Sequence, residues 1–479
     1  MSGELFMAKL TYQDLILPNY VNSSEAVVFT AEVTKGNNSK LESVSLSIPD
    51  VIFATEIAGA NNLIISDTGK GKSQLLSDIA WSHFGGDIEG GNANIVDGRS
   101  AFDIDELFIR TKVDTKSGAY DSDAARQLKL ERVRRAFFGI DEINRAPTPV
   151  QNDFFDLADG KHTFRGQRAL LGQPIEGKND TYSVFFATAN FNKVNSAFQG
   201  TFSLDRALLN RAHVTIDLDH KAFRPTYEDK LLIQERKDNP RVDIAKPKDI
   251  TSLLMEAHTE VALRARQYDP HMQAMLLLFS EGLDFCNADK KTNDKTLFPS
   301  LCGECSYAGK EYCSLAKASS DRTTTAIKLL AHSFAKIVEL KHGENYKIDP
   351  VQAILQAYRF TTYHGDLNEI VTQDEYQGRP QLMMDTVIQK YESLSKTIQS
   401  IVLCAEAGGS PVLVRYALKP KNGSSTDYAV PKSKQLIDAL KAGKISYTEE
   451  DLESVVKEKG IGVDWLNAYT NWVRRNKSS

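Results

Sequence analysis

The fold is decided at Ser66-Asp67-Thr68-Gly69-Lys70-Gly71-Lys72-Ser73. This stretch lies between an apolar run, Leu63–Ile65, and a segment of helical spacing, Gln74–Ala80, so it predicts a strand, a loop and a helix. Phosphate oxygens need backbone N–H groups at a helix N-terminus, a lysine for the β/γ charge and a hydroxyl for Mg²⁺. The loop offers these groups in that order, and we predict that it binds the phosphates of a nucleotide. The candidate binding residues are Thr68, Gly69, Lys70, Gly71, Lys72, Ser73 and Gln74.

One position departs from the usual pattern GxxxxGK[ST], because Ser66 stands where the first glycine is expected. We expect this residue to strain the turn at the start of the loop. Gly69 and Gly71, where the backbone must come closest to the phosphates, are both present. A surface turn that is rich in glycine and lysine is the alternative explanation of the pattern.

Short apolar runs alternate with amphipathic segments on both sides of this loop, from Asn62 to Leu218. Strands that are apolar on both faces and separated by helices indicate a parallel sheet covered on both sides, so we predict a doubly wound α/β domain. The five predicted strands are Leu63–Ile65, Asn94–Val96, Ala136–Ile140, Val184–Ala189 and Val214–Leu218. Beyond Asp219 the spacing becomes helical and predicts helices over Ile250–Gln267, His271–Phe285, Thr323–Leu340 and Pro350–Tyr358.

Two acids, Asp141 and Glu142, directly follow one of the predicted strands. An acid at that position lies at the carboxyl edge of the sheet, where open α/β folds bind their ligands. We therefore assign Asp141, together with Ser73, to a Mg²⁺ shell and Glu142 to the activation of a water for attack on the γ-phosphorus. Asn190 ends another predicted strand and is suited to positioning that water. The alternative for the acids is a solvated turn after a strand.

Four motifs together resemble the MoxR family of AAA+ ATPases, with matching order and spacing over about residues 60–220. A looser likeness continues through Arg322 and Tyr346-Lys-Ile-Asp-Pro-Val351, which resemble the family's helical lid. The motifs are Asp141-Glu-Ile-Asn-Arg-Ala-Pro147, Asp159-Gly-Lys-His-Thr-Phe-Arg-Gly166, Ala187-Thr-Ala-Asn190 and Gly200-Thr-Phe-Ser-Leu-Asp-Arg-Ala-Leu-Leu-Asn-Arg211.

The resemblance implies an oligomeric ring, usually hexameric, with ATP bound between subunits. It implies that Asn190 is the first sensor, that Arg211 is the arginine finger reaching a neighbour's γ-phosphate, and that Arg322 is the second sensor. The family's usual Asp-Arg-Phe is Asn210-Arg211-Ala212 in this chain, so Arg206 competes for the finger role and a solvated helix arginine is the alternative for Arg211.

The family also inserts a hairpin that faces the ring pore, and Gly160–Leu171 lies at the corresponding place. We expect Lys161, His162, Phe164 and Arg165 to form an aromatic and basic tip, suited to gripping a polypeptide or nucleic-acid phosphates. An ordinary surface hairpin is the alternative.

Four of the five cysteines are spaced C-x15-C-x2-C-x7-C in a polar insertion of the predicted lid. Two thiolates in a Cys-x2-Cys pair can reach one metal, and two more can close a tetrahedral site. We predict structural zinc, with an iron–sulfur cluster or free thiols as alternatives. The cysteines are Cys286, Cys302, Cys305 and Cys313.

Length and composition limit the class of protein and its partners. With 479 residues, 41% apolar and 25% charged, the chain is long enough for about three domains and has the usage of a globular protein. A net charge of −5 provides no global attraction to nucleic acid or to anionic membranes. We find no stretch of 18 apolar residues and no basic start followed by an apolar block, so we expect a cytoplasmic protein.

We therefore predict an AAA+ P-loop domain with a helical lid and small additions at both ends. The predicted function is ATP hydrolysis coupled to remodelling or assembly of a protein client. The resemblance implies that an adaptor with a von Willebrand A domain often connects such an ATPase to its client. The alternatives are a nucleic-acid translocase built on the same ring and a nucleotide-gated scaffold with negligible turnover. The predicted domains are a β-rich preface (1–50), the ATPase domain (51–220), the lid (221–365) with its cysteine-rich insertion (286–315), a helix and strand (366–420), and a linker with a C-terminal helical bundle (421–479).

Overall fold

A computed structural model gives the structure of the chain, and its description covers twelve ranges of residues. Contacts divide the chain into two compact units, Met1–Arg264 with His332–Lys347, and Ala265–Ala331 with Ile348–Ser479. In the described part of the chain, no helix combines the length and the apolar character needed to cross a bilayer. The described ranges are 9–36, 38–98, 104–111, 126–128, 130–164, 167–190, 202–236, 246–267, 269–280, 315–316, 318–361 and 366–406.

A five-stranded parallel sheet forms the centre of the first unit. Its strands lie in the order Val214–Asp217, Asn62–Ser66, Val184–Asn190, Phe137–Asp141 and Ala93–Asp97, and each matches a predicted strand to within one residue at either end. The predicted α/β domain built on a parallel sheet is thereby confirmed. In chain order the described strands are β1 (Glu25–Lys35), β2 (Asn38–Ser47), β3 (Asn62–Ser66), β4 (Ala93–Asp97), β5 (Ile109–Thr111), β6 (Arg126–Leu128), β7 (Phe137–Asp141), β8 (Lys161–Phe164), β9 (Gln167–Leu170), β10 (Gln173–Pro174), β11 (Thr181–Tyr182), β12 (Val184–Asn190), β13 (Val214–Asp217) and β14 (Tyr346–Ile348).

Burial explains why these runs form the central strands. Every residue of β3 and β12 is buried, as expected for strands that are covered on both faces. The helix Lys72–His83 packs on β7 and β12 and buries Leu75, Leu76 and Ile79. This packing fixes the helix that follows the phosphate loop against the strand that carries the two acids.

Most of the other described strands pair as antiparallel hairpins. β1 pairs with β2, with Lys35 opposite Asn38, within the segment predicted to be β-rich, and β14 adds to the other side of β1. β8 pairs with β9, so the predicted hairpin between the acids and Asn190 is also confirmed. The helix Ile48–Ala58 connects the N-terminal hairpin to β3 and begins at a capping box formed by Ser47 and Asp50.

The second unit is helical in its described part. Phe279 stacks on Tyr358 with ring centroids 4.4 Å apart, and Tyr391 packs edge-on against both rings. The predicted strand Val412–Leu418 and the predicted C-terminal helices fall outside the described residues. The described α-helices of the chain are Tyr12–Leu15, Ile48–Ala58, Lys72–His83, Ile104–Phe108, Leu130–Val133, Thr148–Ala158, Arg206–Leu209, Tyr227–Gln234, Thr251–Arg266, Pro270–Ser280, Asp321–His342, Pro350–Tyr358, Glu369–Asp374 and Pro380–Glu406.

Candidate nucleotide-binding site

The sheet register brings the predicted site residues to one edge. Ser66, at the end of β3, lies opposite Asn190 at the end of β12. On the other side of β12, Ala187 is in register with Ile140, which directly precedes Asp141. Because all three strands are parallel, the phosphate loop, the acidic pair and Asn190 leave the sheet at the same carboxyl edge.

Glycines make the turn of the phosphate loop. Gly69 and Gly71 have φ values of 72° and 78°, a region that other residues rarely adopt, and the helix begins immediately afterwards at Lys72. A Cβ at Gly69 would meet no atom within 4 Å, so the backbone conformation and not lack of space requires glycine there. Thr68, Lys70 and Ser73 are exposed around this turn and are accessible to a ligand.

The expected strain at Ser66 is wrong. Ser66 is the last residue of β3, and among the described non-glycine residues only Glu142 and Gln377 have positive φ. The sharp turn lies further along, at the two glycines, so the start of the loop continues the extended strand and accepts a serine.

Lys72 lies beneath the loop with only 6% of its surface exposed. Its Nζ donates to Ser66 Oγ at 2.8 Å, to Asp67 O at 2.9 Å and to Ser66 O at 3.2 Å. Burial lowers the pKa of Lys72, while nearby carboxylates, with Asp219 first among them, oppose that shift. The ammonium is therefore held inside the loop that would surround the phosphates.

Asp141 and Glu142 share one supporting side chain, Thr188 of β12. The Thr188 hydroxyl donates to Asp141 Oδ1 at 2.5 Å and accepts from the Glu142 backbone N–H at 2.9 Å. Thr188 is fully buried, so this contact fixes both acids relative to β12. The sequence offered no signal for it beyond its place two residues before Asn190.

Glu142 has a strained backbone, with φ 51° and ψ 47°. Its Oε1 accepts from Asn190 Nδ2 at 3.0 Å, and its Oε2 accepts from Arg145 Nε at 2.7 Å. Gly98 packs directly against this residue, because a Cβ there would lie 2.4 Å from the Glu142 carbonyl oxygen. The carboxylate assigned to water activation is thus held by the residue assigned to water positioning.

Asn144 is a second support that sequence reasoning missed. Its Nδ2 donates to the Asn190 carbonyl at 2.8 Å, and its Oδ1 accepts from the Asn190 N–H at 3.3 Å. The Asn144 carbonyl accepts from the Phe202 N–H at 2.7 Å. The segment after the acids therefore fixes the end of β12 and the chain beyond residue 201.

Arg211 is engaged within its own chain. It donates from Nε at 2.9 Å and from Nη2 at 3.2 Å to the two carboxylate oxygens of Asp159, and its guanidinium lies 4.9 Å from the Phe155 ring centroid. Arg206, the first residue of the short helix Arg206–Leu209, is exposed. Arg322 is the second residue of the helix Asp321–His342 and is also exposed. The trans-acting and second-sensor roles stay predictions.

Two of the four residues expected at the basic tip of the hairpin β8–β9, Lys161 and His162, do not lie exposed at a tip. His162 is 7% exposed and packs beside Phe108, because it faces inward from β8. Lys161 lies at the base of the hairpin and pairs with Asp159 at 2.8 Å. The side chains of Phe164 and Arg165 fall outside the described residues.

The four cysteines also fall outside the described residues, so structural zinc stays a prediction. Within the described ranges, no three His, Cys, Asp or Glu side chains form a metal-binding group. Mg²⁺ commonly binds proteins through one or two carboxylates together with substrate phosphates, and Asp141 with the exposed Ser73 fits that mode.

No family model and no curated protein sequence matches this chain. Among the solved structures similar to it at low identity are an ATPase-like protein and an MCM homologue. A protein described as a "putative ATPase" from Cytophaga hutchinsonii is 15% identical, with a TM-score of 0.47, over 71% of this chain and 88% of that one. A full-length MCM homologue from Methanopyrus kandleri is 11% identical, with a TM-score of 0.39, over 66% of this chain, which spans only 55% of that protein. The fold assignment rests on the sheet order and not on these likenesses.

Proposed function

We propose that this chain is a MoxR-like AAA+ ATPase that hydrolyses ATP at the carboxyl edge of its sheet. The observation that carries the proposal is the convergence of the phosphate loop, the acidic pair and Asn190, with Asn190 Nδ2 3.0 Å from Glu142 Oε1. A surface turn or a solvated acidic turn would not require three strands to deliver these groups to one place.

Each residue has a role that follows from its position. The N–H groups at the start of the helix Lys72–His83 and the Lys72 ammonium bind the phosphates. Asp141 and Ser73 would hold Mg²⁺, which neutralises charge that develops on the phosphoryl oxygens. Glu142 accepts a proton from the attacking water as the bond from the γ-phosphorus to its bridging oxygen breaks, and Asn190 orients that water.

We further propose that the chain works as a homo-oligomeric ring that remodels a protein client. The support is the motif resemblance, which includes Arg211 as the residue that completes a neighbour's site. An adaptor with a von Willebrand A domain is the partner class that this resemblance suggests. The inward-facing His162 and the paired Lys161 remove two basic groups from the hairpin and weaken the case for a nucleic-acid translocase.

Phosphate release measured with and without DNA, RNA and candidate proteins tests the proposal. We expect basal hydrolysis that nucleic acid does not stimulate, and capture of specific proteins by the Glu142→Gln variant in the presence of ATP. Strong stimulation by DNA or RNA would favour a translocase instead, and tight binding without measurable hydrolysis would favour a scaffold.

A further inference from the structure

The start of the phosphate loop satisfies every donor of the Lys72 ammonium. An ammonium has three N–H groups, and Lys72 Nζ has three acceptors within 3.2 Å, namely Ser66 Oγ, Asp67 O and Ser66 O. All three acceptors belong to two consecutive residues. We name this arrangement of Ser66, Asp67 and Lys72 the ammonium clamp.

The Ser66 hydroxyl is oriented so that it accepts a hydrogen bond from Lys72. Ser66 Oγ donates its proton to Asp67 O at 2.8 Å, which leaves its lone pairs to accept from Lys72. Ser66 has no exposed surface, so water does not replace this bond easily. A glycine, which the usual loop pattern has at this position, would leave one of the ammonium donors without its acceptor.

The residues after Ser66 hold the clamp in place. The Asp67 N–H donates to Asp219 Oδ2 at 2.8 Å, and the Thr68 N–H donates to Asp67 Oδ1 at 2.8 Å. Asp219 follows β13, the edge strand beside β3, so the clamp is anchored to a second strand of the sheet. The start of the loop is therefore tied to the end of β13 as well as to β3.

We propose that Ser66 is a positioning residue that holds the Lys72 ammonium at the start of the loop in competition with the phosphates of the nucleotide. This inference rests on the proposed function, because it assumes that the loop binds nucleotide. Lys72 has no spare donor, so it must give up at least one bond of the clamp to bind a phosphate oxygen. The clamp thus weakens nucleotide binding and favours release of the product ADP.

Removing the hydroxyl should strengthen nucleotide binding. A hydrogen bond to a charged group is worth about tenfold to a hundredfold in an equilibrium constant, so Ser66→Ala should bind Mg·ADP tighter by about that factor. Ser66→Gly should behave in the same way, since it also lacks the hydroxyl. Agreement between the two variants separates the effect of the hydroxyl from any effect of backbone freedom.

The experiment has two readouts on the full chain. In the nucleotide-free protein, the acylation rate of Lys72 by an amine-reactive ester is followed by mass spectrometry, with the exposed Lys221 as internal reference. We expect Lys72 to react faster, relative to Lys221, in both Ser66 variants. Titration calorimetry then gives the Kd of Mg·ADP for the wild type and for both variants.

The outcomes distinguish the clamp from the proposed function. Faster acylation with tighter Mg·ADP binding supports both. Faster acylation in variants that, like the wild type, bind no nucleotide supports the clamp and refutes the proposed function. Unchanged acylation in both variants overturns the clamp, and faster acylation with unchanged or weaker Mg·ADP binding overturns its competition with phosphate.

Discussion

Replacing Gly98 with alanine tests whether the backbone position of Glu142 limits hydrolysis. A Cβ at Gly98 would lie 2.4 Å from the Glu142 carbonyl oxygen and 2.9 Å from its carbonyl carbon, whereas ordinary contact begins at 3.4 Å. The Gly98 or the Glu142 backbone must therefore move by about 1 Å. If Glu142 moves, a displacement of that size in a catalytic group costs about a hundredfold in rate. We expect kcat to fall by about that factor.

Nucleotide binding provides the internal comparison for this variant. Gly98 packs against the Glu142 backbone and donates to the Asp141 carbonyl oxygen, not to the Asp141 carboxylate, so the Kd of Mg·ATP should change much less than kcat. The assay is steady-state phosphate release, with Kd measured separately and thermal unfolding recorded for each protein. Gly177→Ala is the control, because Gly177 has φ 72° and nothing within 4 Å of its Cβ position, so that variant should lose some stability without losing kcat. A Gly98→Ala protein with wild-type kcat, or an equal loss of kcat in Gly177→Ala, would refute the reasoning.

Arg211, His258 and Asn62 each allow a further test. Arg211→Ala should reduce hydrolysis on the order of a thousandfold, because a trans-acting arginine completes a neighbour's site. Activity should return when Arg211→Ala subunits are mixed with Lys72→Ala subunits. If mixing with Lys72→Ala restores activity to Arg206→Ala subunits and not to Arg211→Ala subunits, Arg206 has the finger role and Arg211 serves as the partner of Asp159. Burial lowers the pKa of His258 in spite of its hydrogen bond to the Ile57 carbonyl, so the unfolded chain binds that proton more readily. The free energy of unfolding should then decrease as pH falls below about 6.5, and urea titrations of His258→Asn, which keeps the donor, should lack that part of the decrease. Both side-chain polar atoms of the buried Asn62 lack a hydrogen-bond partner among the described residues, so Asn62→Leu should raise the free energy of unfolding by roughly 1–3 kcal/mol in denaturant titrations, and a loss of stability would contradict this.

The sequence predicted the elements of the site better than their contacts. Apolar runs followed by Ser66, Asp141 and Asn190 were enough to place three strand ends at one edge, because parallel strands share a direction. The support from Thr188 depends on the register between β7 and β12, which no local pattern reveals. The approach of Gly98 to Glu142 depends in the same way on how the chain leaves β4.

The surroundings of two side chains, His162 and Arg211, could not be predicted from the sequence for a related reason. The sequence predicts His162 at an exposed tip, whereas it is buried. In a strand of only four residues, the alternation of apolar and polar side chains is too short to show which face of the strand is buried. Arg211 was assigned by its motif, and its pairing with Asp159, 52 residues earlier in the chain, depends on how the helices Thr148–Ala158 and Arg206–Leu209 pack. Both outcomes follow from tertiary packing, which decides the surroundings of a side chain after its element has formed.

Hydrolysis of Mg·ATP by Glu142→Gln, compared with the wild type, tests the central claim most directly. The substitution keeps the shape of the side chain at the position that Asn190 and Arg145 contact, and it removes the carboxylate that accepts the proton. We predict that the variant binds Mg·ATP with near wild-type affinity and hydrolyses it at least about a hundredfold more slowly, since general-base assistance is worth that order. Lys72→Ala, measured alongside, should instead lose binding. Turnover of Glu142→Gln at the wild-type rate would contradict the assignment of this edge of the sheet as the catalytic site.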